Sequence, residues 1–156
     1  YNGVLQQALR DLSAWVERGV APPQSTAYAI VDGQVVVPPA AAARQGIQPV
    51  VTLAANGGAR AEVAVGQPVR LVGRIAVPPR AGTVVAAEWD FAGDGQYTPA
   101  TSVGRGKRAV TVRASHAFAA PGTYFVALRG TSQRHGDAAT PYARIQNLGR
   151  VRIVVR

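Results

Sequence analysis

Cysteine is absent from this chain, which excludes disulfides, thiol nucleophiles and thiolate metal sites and leaves the redox compartment open. Histidine is nearly so: His116 and His135 are the only 2, too few and too far apart in sequence for a zinc site. Acidic residues number 8 against 17 basic ones, a formal net charge of +9, and Lys107 is the only lysine, so arginine carries the excess. No apolar run reaches transmembrane length, which predicts a soluble chain without a membrane span. A Gly-x-Ser-x-Gly elbow is also missing, and Ser13, Ser25, Ser102, Ser115 and Ser132 have no base partner nearby in sequence. Glu88 and Asp90 alternate outward on one strand, a surface pair rather than a hydrolytic cleft. The sequence therefore predicts no enzyme.

What is present reads as folded. Hydrophobic residues make up 47% and charged ones only 16%, outside the range of disordered segments. A length of 156 residues accommodates one β-sandwich plus an extra element. The chain starts at Tyr1 with neither Met nor a signal-peptide pattern, the expectation for a mature product or a piece of a longer protein. Its charge is unevenly placed: up to residue 46, Arg10, Arg18 and Arg44 balance Asp11, Glu17 and Asp32, so the whole excess lies beyond.

Leu5, Leu9, Leu12 and Val16 recur at three- and four-residue steps, with Ala8 and Trp15 widening the stripe, which predicts one amphipathic helix from about Asn2 to Arg18. Asn2 is the expected N-cap, Gly19 the expected left-handed stop, and Pro22-Pro23 bar continuation. Such a helix needs a surface to dock on, either the chain's own sandwich or an upstream domain. Residues 25–37 read as two short strands about Asp32-Gly33, followed by an alanine-rich linker or helical turn. The pattern Leu12-x-x-Trp15-Val16-Glu17-x-Gly19-Val20-x-Pro22-Pro23-x-Ser25 resembles the C-terminal tail of α/β-hydrolase-type enzymes related to tannases and similar esterases. That resemblance implies that residues 1–46 are the tail of an upstream hydrolase-like domain, without its catalytic motifs.

From Ile47 onward, strands alternate with closely spaced turn signals, the pattern of an antiparallel β-sandwich. Val69, Leu71, Gly73, Ile75 and Val77 face inward on one strand, and Val85, Ala87, Trp89 and Phe91 on the next. Val110, Val112 and Ala114, then Tyr124, Val126 and Leu128, then Val151, Ile153 and Val155 supply the remaining inner faces. The strands bearing Trp89 and Tyr124 are expected to face each other across one interior. Trp89-Asp90-Phe91-Ala92-Gly93-Asp94-Gly95, followed by His116-x-Phe118-x-x-Pro121-Gly122-x-Tyr124-x-Val126-x-Leu128, resembles a polycystic-kidney-disease (PKD) domain, an immunoglobulin-like sandwich. The resemblance runs from about residue 47 to 156 and departs from the family pattern at Ala92 and between Gln133 and Tyr142. It implies a mainly β chain with one N-terminal helix. It also implies a non-catalytic accessory module of a secreted, periplasmic or cell-surface bacterial protein, serving spacing, domain packing, or contact with carbohydrate or a surface protein.

Trp89 and Tyr124 are expected in the core and at a corner, the Tyr124 hydroxyl anchoring the turn. Asp90 and Asp94 are the only calcium candidates, but about six to eight oxygens are needed and Ala92 removes one expected ligand, so capping of turn N–H groups is the preferred role. His116 is expected to hydrogen-bond the adjacent turn and His135 to lie in an exposed loop. Arg70, Arg74 and Arg113 fall on the outside of one sheet, and Arg129, Arg150, Arg152 and Arg156 on the outside of the other. That dispersal argues against nucleic acid. Arg105, Lys107 and Arg108 form the one local cluster and the candidate contact for a polyanion.

Overall fold

The computed structural model describes residues 2–100 and 102–156. Helix α1 (Asn2–Arg18) comes first, then a hairpin of β1 (Ala29–Val31) and β2 (Gln34–Val36), and one helical turn, α2 (Ala41–Arg44). The strands β3 (Val50–Ala55), β4 (Arg60–Val63), β5 (Pro68–Ala76) and β6 (Thr83–Asp90) follow. The chain ends with β7 (Thr98–Pro99), β8 (Ala109–Ala117), β9 (Gly122–Gln133) and β10 (Ile145–Val155). One sheet has the order β3-β5-β8 and the other β4-β10-β9-β6-β7, antiparallel throughout except where β4 runs parallel to β10. The architecture is a mainly β, antiparallel immunoglobulin-like sandwich with an N-terminal helix.

Period-two alternation makes the core. β5 alternates strictly between exposed and buried positions, so Val69, Leu71 and Ile75 are sealed from solvent while Arg70, Val72 and Arg74 point out. Val126, Leu128, Val151 and Ile153 from β9 and β10 meet them from the facing sheet. Gly73 leaves room for the facing sheet: a Cβ there would overlap the Leu128 side chain and lie 3.5 Å from the Trp89 ring.

Several expectations need correction. β6 and β9 do not face each other; they are neighbours in the five-stranded sheet, with Trp89 opposite Leu128. A bulge between Val84 and Ala86 shifts the register, so Val84 rather than Val85 enters the core. Trp89 and Tyr124 are joined through a ladder of rings instead. Trp89 stacks on Phe91 (5.8 Å), Phe91 on His116 (4.4 Å), His116 meets Phe118 edge-on (4.7 Å), and Phe118 packs on Tyr124 (4.2 Å). His116 on β8 thus carries the ladder across the interior by stacking, where a hydrogen bond to the turn was expected. The alanine-rich stretch winds into α2, and the short β4 pairs with β10 although no strand was expected there.

Candidate functional site

Helix α1 ends as its sequence dictates, with Gly19 left-handed (φ 68°) and its N–H donating to the Trp15 carbonyl at 3.0 Å. Its orientation is the surprise. The side turned to the sandwich carries Gly3, Val4, Gln6, Gln7, Asp11 and Ala14, of which Gln7 is buried. Gly3 lies against the Arg144 carbonyl so closely that any Cβ would collide with it. Gln6 Oε1 accepts the Ala143 N–H at 2.7 Å, and the Asp11 carboxylate receives the Arg134 guanidinium at 2.9 Å and the Gln7 amide at 2.9 Å. Polar groups and small residues, with Val4 the one larger apolar side chain beside them, therefore hold the helix down.

The apolar stripe faces away. Leu5, Leu9, Leu12, Trp15 and Val16 are between 51% and 76% exposed. At about 1 kcal/mol for each half-buried side chain, roughly 5 kcal/mol of burial is forgone. Leu12 and Trp15 border an open groove of about 430 Å³ completed by Pro22, Pro23 and Ile47. The β1–β2 hairpin turns through Asp32 (φ 49°) and Gly33 (φ 75°), and every residue of both strands is exposed, Ile30, Val31, Val35 and Val36 included. An isolated two-stranded hairpin is marginal in water, so the hairpin, like the helix, leaves apolar side chains without cover.

At the end of β6 the chemistry is that of a cap. Both carboxylate oxygens of buried Asp90 are occupied, Oδ1 accepting from Gly93 N (2.7 Å) and Asp94 N (3.3 Å), and Oδ2 from Gly95 N (2.9 Å). Asp94 Oδ1 takes the Gln96 N–H at 2.9 Å. On the neighbouring strand of the same sheet Tyr124 Oη donates to the Ala120 carbonyl at 3.0 Å, fastening the corner before β9. A family profile described as PKD domain matches residues 48–146. The chain belongs to the PKD domain family. As a PKD-type domain it is a non-enzymatic module, and Asp90 and Tyr124 are supports of the PKD sandwich. No curated protein matches the chain, and nothing in these comparisons supports a tannase- or esterase-related origin for residues 12–25.

Other candidate residues are dispersed over the PKD sandwich. Among the described residues no group of three or more His, Asp or Glu gathers that could hold a metal ion. His135 lies exposed beyond β9, its backbone N–H donating to Gln133 Oε1. Arg105 and Lys107 stand in the exposed loop before β8, while Arg108 reaches a groove shared with Arg74. On the five-stranded sheet Glu88 and Arg129 form a bidentate pair (2.8 and 2.9 Å) with the guanidinium 3.9 Å from the Tyr97 ring centre. The carboxylate raises the Arg129 pKa through these hydrogen bonds. No described helix is long and apolar enough to cross a membrane. Sequence reasoning missed Gly3, Gln6, Asp11, Arg134 and Arg144; the small and polar positions at 3, 7, 11 and 14, one helical face apart from the leucines, were the available signal.

Proposed function

We propose that this chain is an accessory PKD module that docks on a second folded protein domain through the apolar stripe of α1. The exposure of Leu5, Leu9, Leu12, Trp15 and Val16 carries this reading. Anchors at 5, 9, 12 and 16 have the spacing of a helix laid into an apolar groove. A membrane surface fits less well, since it favours a cationic polar face and residues 1–46 are electrically balanced. In this reading residues 1–46 form the docking unit and 47–156 the PKD sandwich that displays it. The likeness of residues 12–25 to tannase-related tails makes an α/β-hydrolase catalytic domain one form of the partner, and the reading frame upstream of Tyr1 tests that form.

Anilinonaphthalene sulfonate and sedimentation equilibrium test the docking face. The free chain should be monomeric and enhance the dye's fluorescence, and Leu9→Ser/Trp15→Ser should remove most of that enhancement. Absence of dye binding would refute the reading, as would a dimer that the double variant dissociates.

A further inference from the structure

The outer face of the three-stranded sheet carries a separate feature. In the β5–β8 register Arg70 lies opposite Ser115, Arg113 opposite Val72, and Arg74 opposite Thr111, with the Val77 N–H bonded to the Arg108 carbonyl one step beyond. Each two-residue step along a strand advances about 7 Å, so Arg70, Arg113 and Arg74 form a staggered ladder about 14 Å long, and Arg108, opposite the inward-facing Val77, lies at the rim beyond its end. Arg70 and Arg113 border one shallow groove of about 630 Å³, and Arg74 and Arg108 a second of about 650 Å³.

Nothing neutralises this ladder. No Asp or Glu occurs on β3, β5 or β8, and none of the three guanidinium groups has an ion pair among the described residues. Four arginines elsewhere are partnered, Arg129 with Glu88, Arg134 with Asp11, and Arg60 and Arg156 with Glu62. Others, Arg150 and Arg152 among them, also have no ion pair among the described residues, so alignment in one row is what sets the ladder apart. A row of like charges contributes nothing favourable to folding, and the same row suits a linear polyanion.

We propose that this face binds an acidic polysaccharide whose carboxylates pair with Arg70, Arg74 and Arg113. Guanidinium forks match carboxylates bidentately, and Thr52, Thr111 and Ser115 set hydroxyls between them for the sugar. Single-stranded nucleic acid needs aromatic platforms, and the outward positions of β3, β5 and β8 hold none. A bilayer needs apolar side chains to insert, and Val72 is the one large apolar side chain exposed on these three strands.

The test is affinity of the chain for alginate, with dextran, single-stranded DNA and phosphatidylserine vesicles as comparators. Alginate should bind with an affinity that falls as salt rises, and dextran should not bind. Arg70→Gln/Arg74→Gln/Arg113→Gln should weaken alginate binding at least tenfold and flatten its salt dependence, while the matching Lys variants, which keep the charge and lose the fork, should bind more weakly than wild type but more tightly than the Gln variant and keep the salt dependence. Arg150→Gln/Arg152→Gln, on the opposite sheet, should change it less than twofold. Equal loss from that opposite-face variant, retention by the triple Gln variant, or tighter binding to DNA or vesicles than to alginate would overturn the proposal. Thermal midpoints of all variants should match the wild type. If the triple Gln variant unfolds, the Lys variant and the opposite-face variant decide: preference for alginate over dextran and DNA, kept by both, supports the site, and its loss in the Lys variant overturns it.

Discussion

Asp11 and Arg134, 123 residues apart in sequence, meet at 2.9 Å and turn α1 so that its charged and small side faces the sandwich. The leucines consequently look outward. Both groups of this ion pair are largely shielded from solvent, so its loss is felt locally.

The first prediction concerns that attachment. Gly3→Val cannot fit against the Arg144 carbonyl, and Asp11→Asn breaks the ion pair. In either variant the amides of α1 should exchange faster, while those of β5, β9 and β10 keep their protection, as hydrogen-exchange mass spectrometry would show. Uniform loss of protection would mean that helix and sandwich unfold as one unit.

Asp90 gives the second. Asp90→Ala leaves three turn N–H groups without their acceptor, so chemical denaturation should show a loss of about 2–3 kcal/mol. Because those N–H groups already occupy the carboxylate, calcium should not shift the wild-type melting midpoint. A calcium-dependent rise would assign the turn to a metal.

The third is steric. Gly73→Val drives two methyl groups toward Leu128 and the Trp89 ring. Overpacking of this kind costs about 1–3 kcal/mol, read from the urea midpoint at unchanged slope. No change in midpoint would mean a looser interior than the ring and leucine contacts describe.

The fourth is a pH dependence. Burial between Phe91 and Phe118 disfavours the charged imidazole and lowers the His116 pKa below 6.5. The unfolded chain then binds the proton more readily, so His116 stabilises the fold fully above pH 6.5. That contribution falls as pH drops toward the folded value and is gone below it. Proton-detected NMR titration should place the His116 midpoint below 6.5, and His116→Phe should remove this part of the acid sensitivity. A midpoint at or above 6.5 would contradict the stacked, partly desolvated ring.

Much of this was legible from residues alone. The ends of α1 follow from the leucine spacing and Gly19, β5 from Val69-x-Leu71-x-Gly73-x-Ile75, and the capping role of Asp90 from the Gly-Asp-Gly turn after it. The direction in which α1 points was not legible, because amphipathicity identifies an apolar face without saying whether its cover lies within the chain. Contacts such as Asp11 with Arg134 depend on the whole topology. The bulge at Val84–Ala86 was hidden because Val84 and Val85 are the same residue type, and β4 because four residues give too short an alternation. The arginine ladder was half visible: alternation placed Arg70, Arg74 and Arg113 on one face, but only the register of β5 with β8 lines them up.

The central claim is that the stripe on α1 is reserved for another domain. Urea denaturation of Leu9→Ser/Leu12→Ser tests it most directly. An unpartnered stripe predicts a sandwich stability within about 0.5 kcal/mol of wild type. A loss of about 2–5 kcal/mol, as for side chains removed from a packed core, would show that the leucines are buried in this chain and would contradict the account.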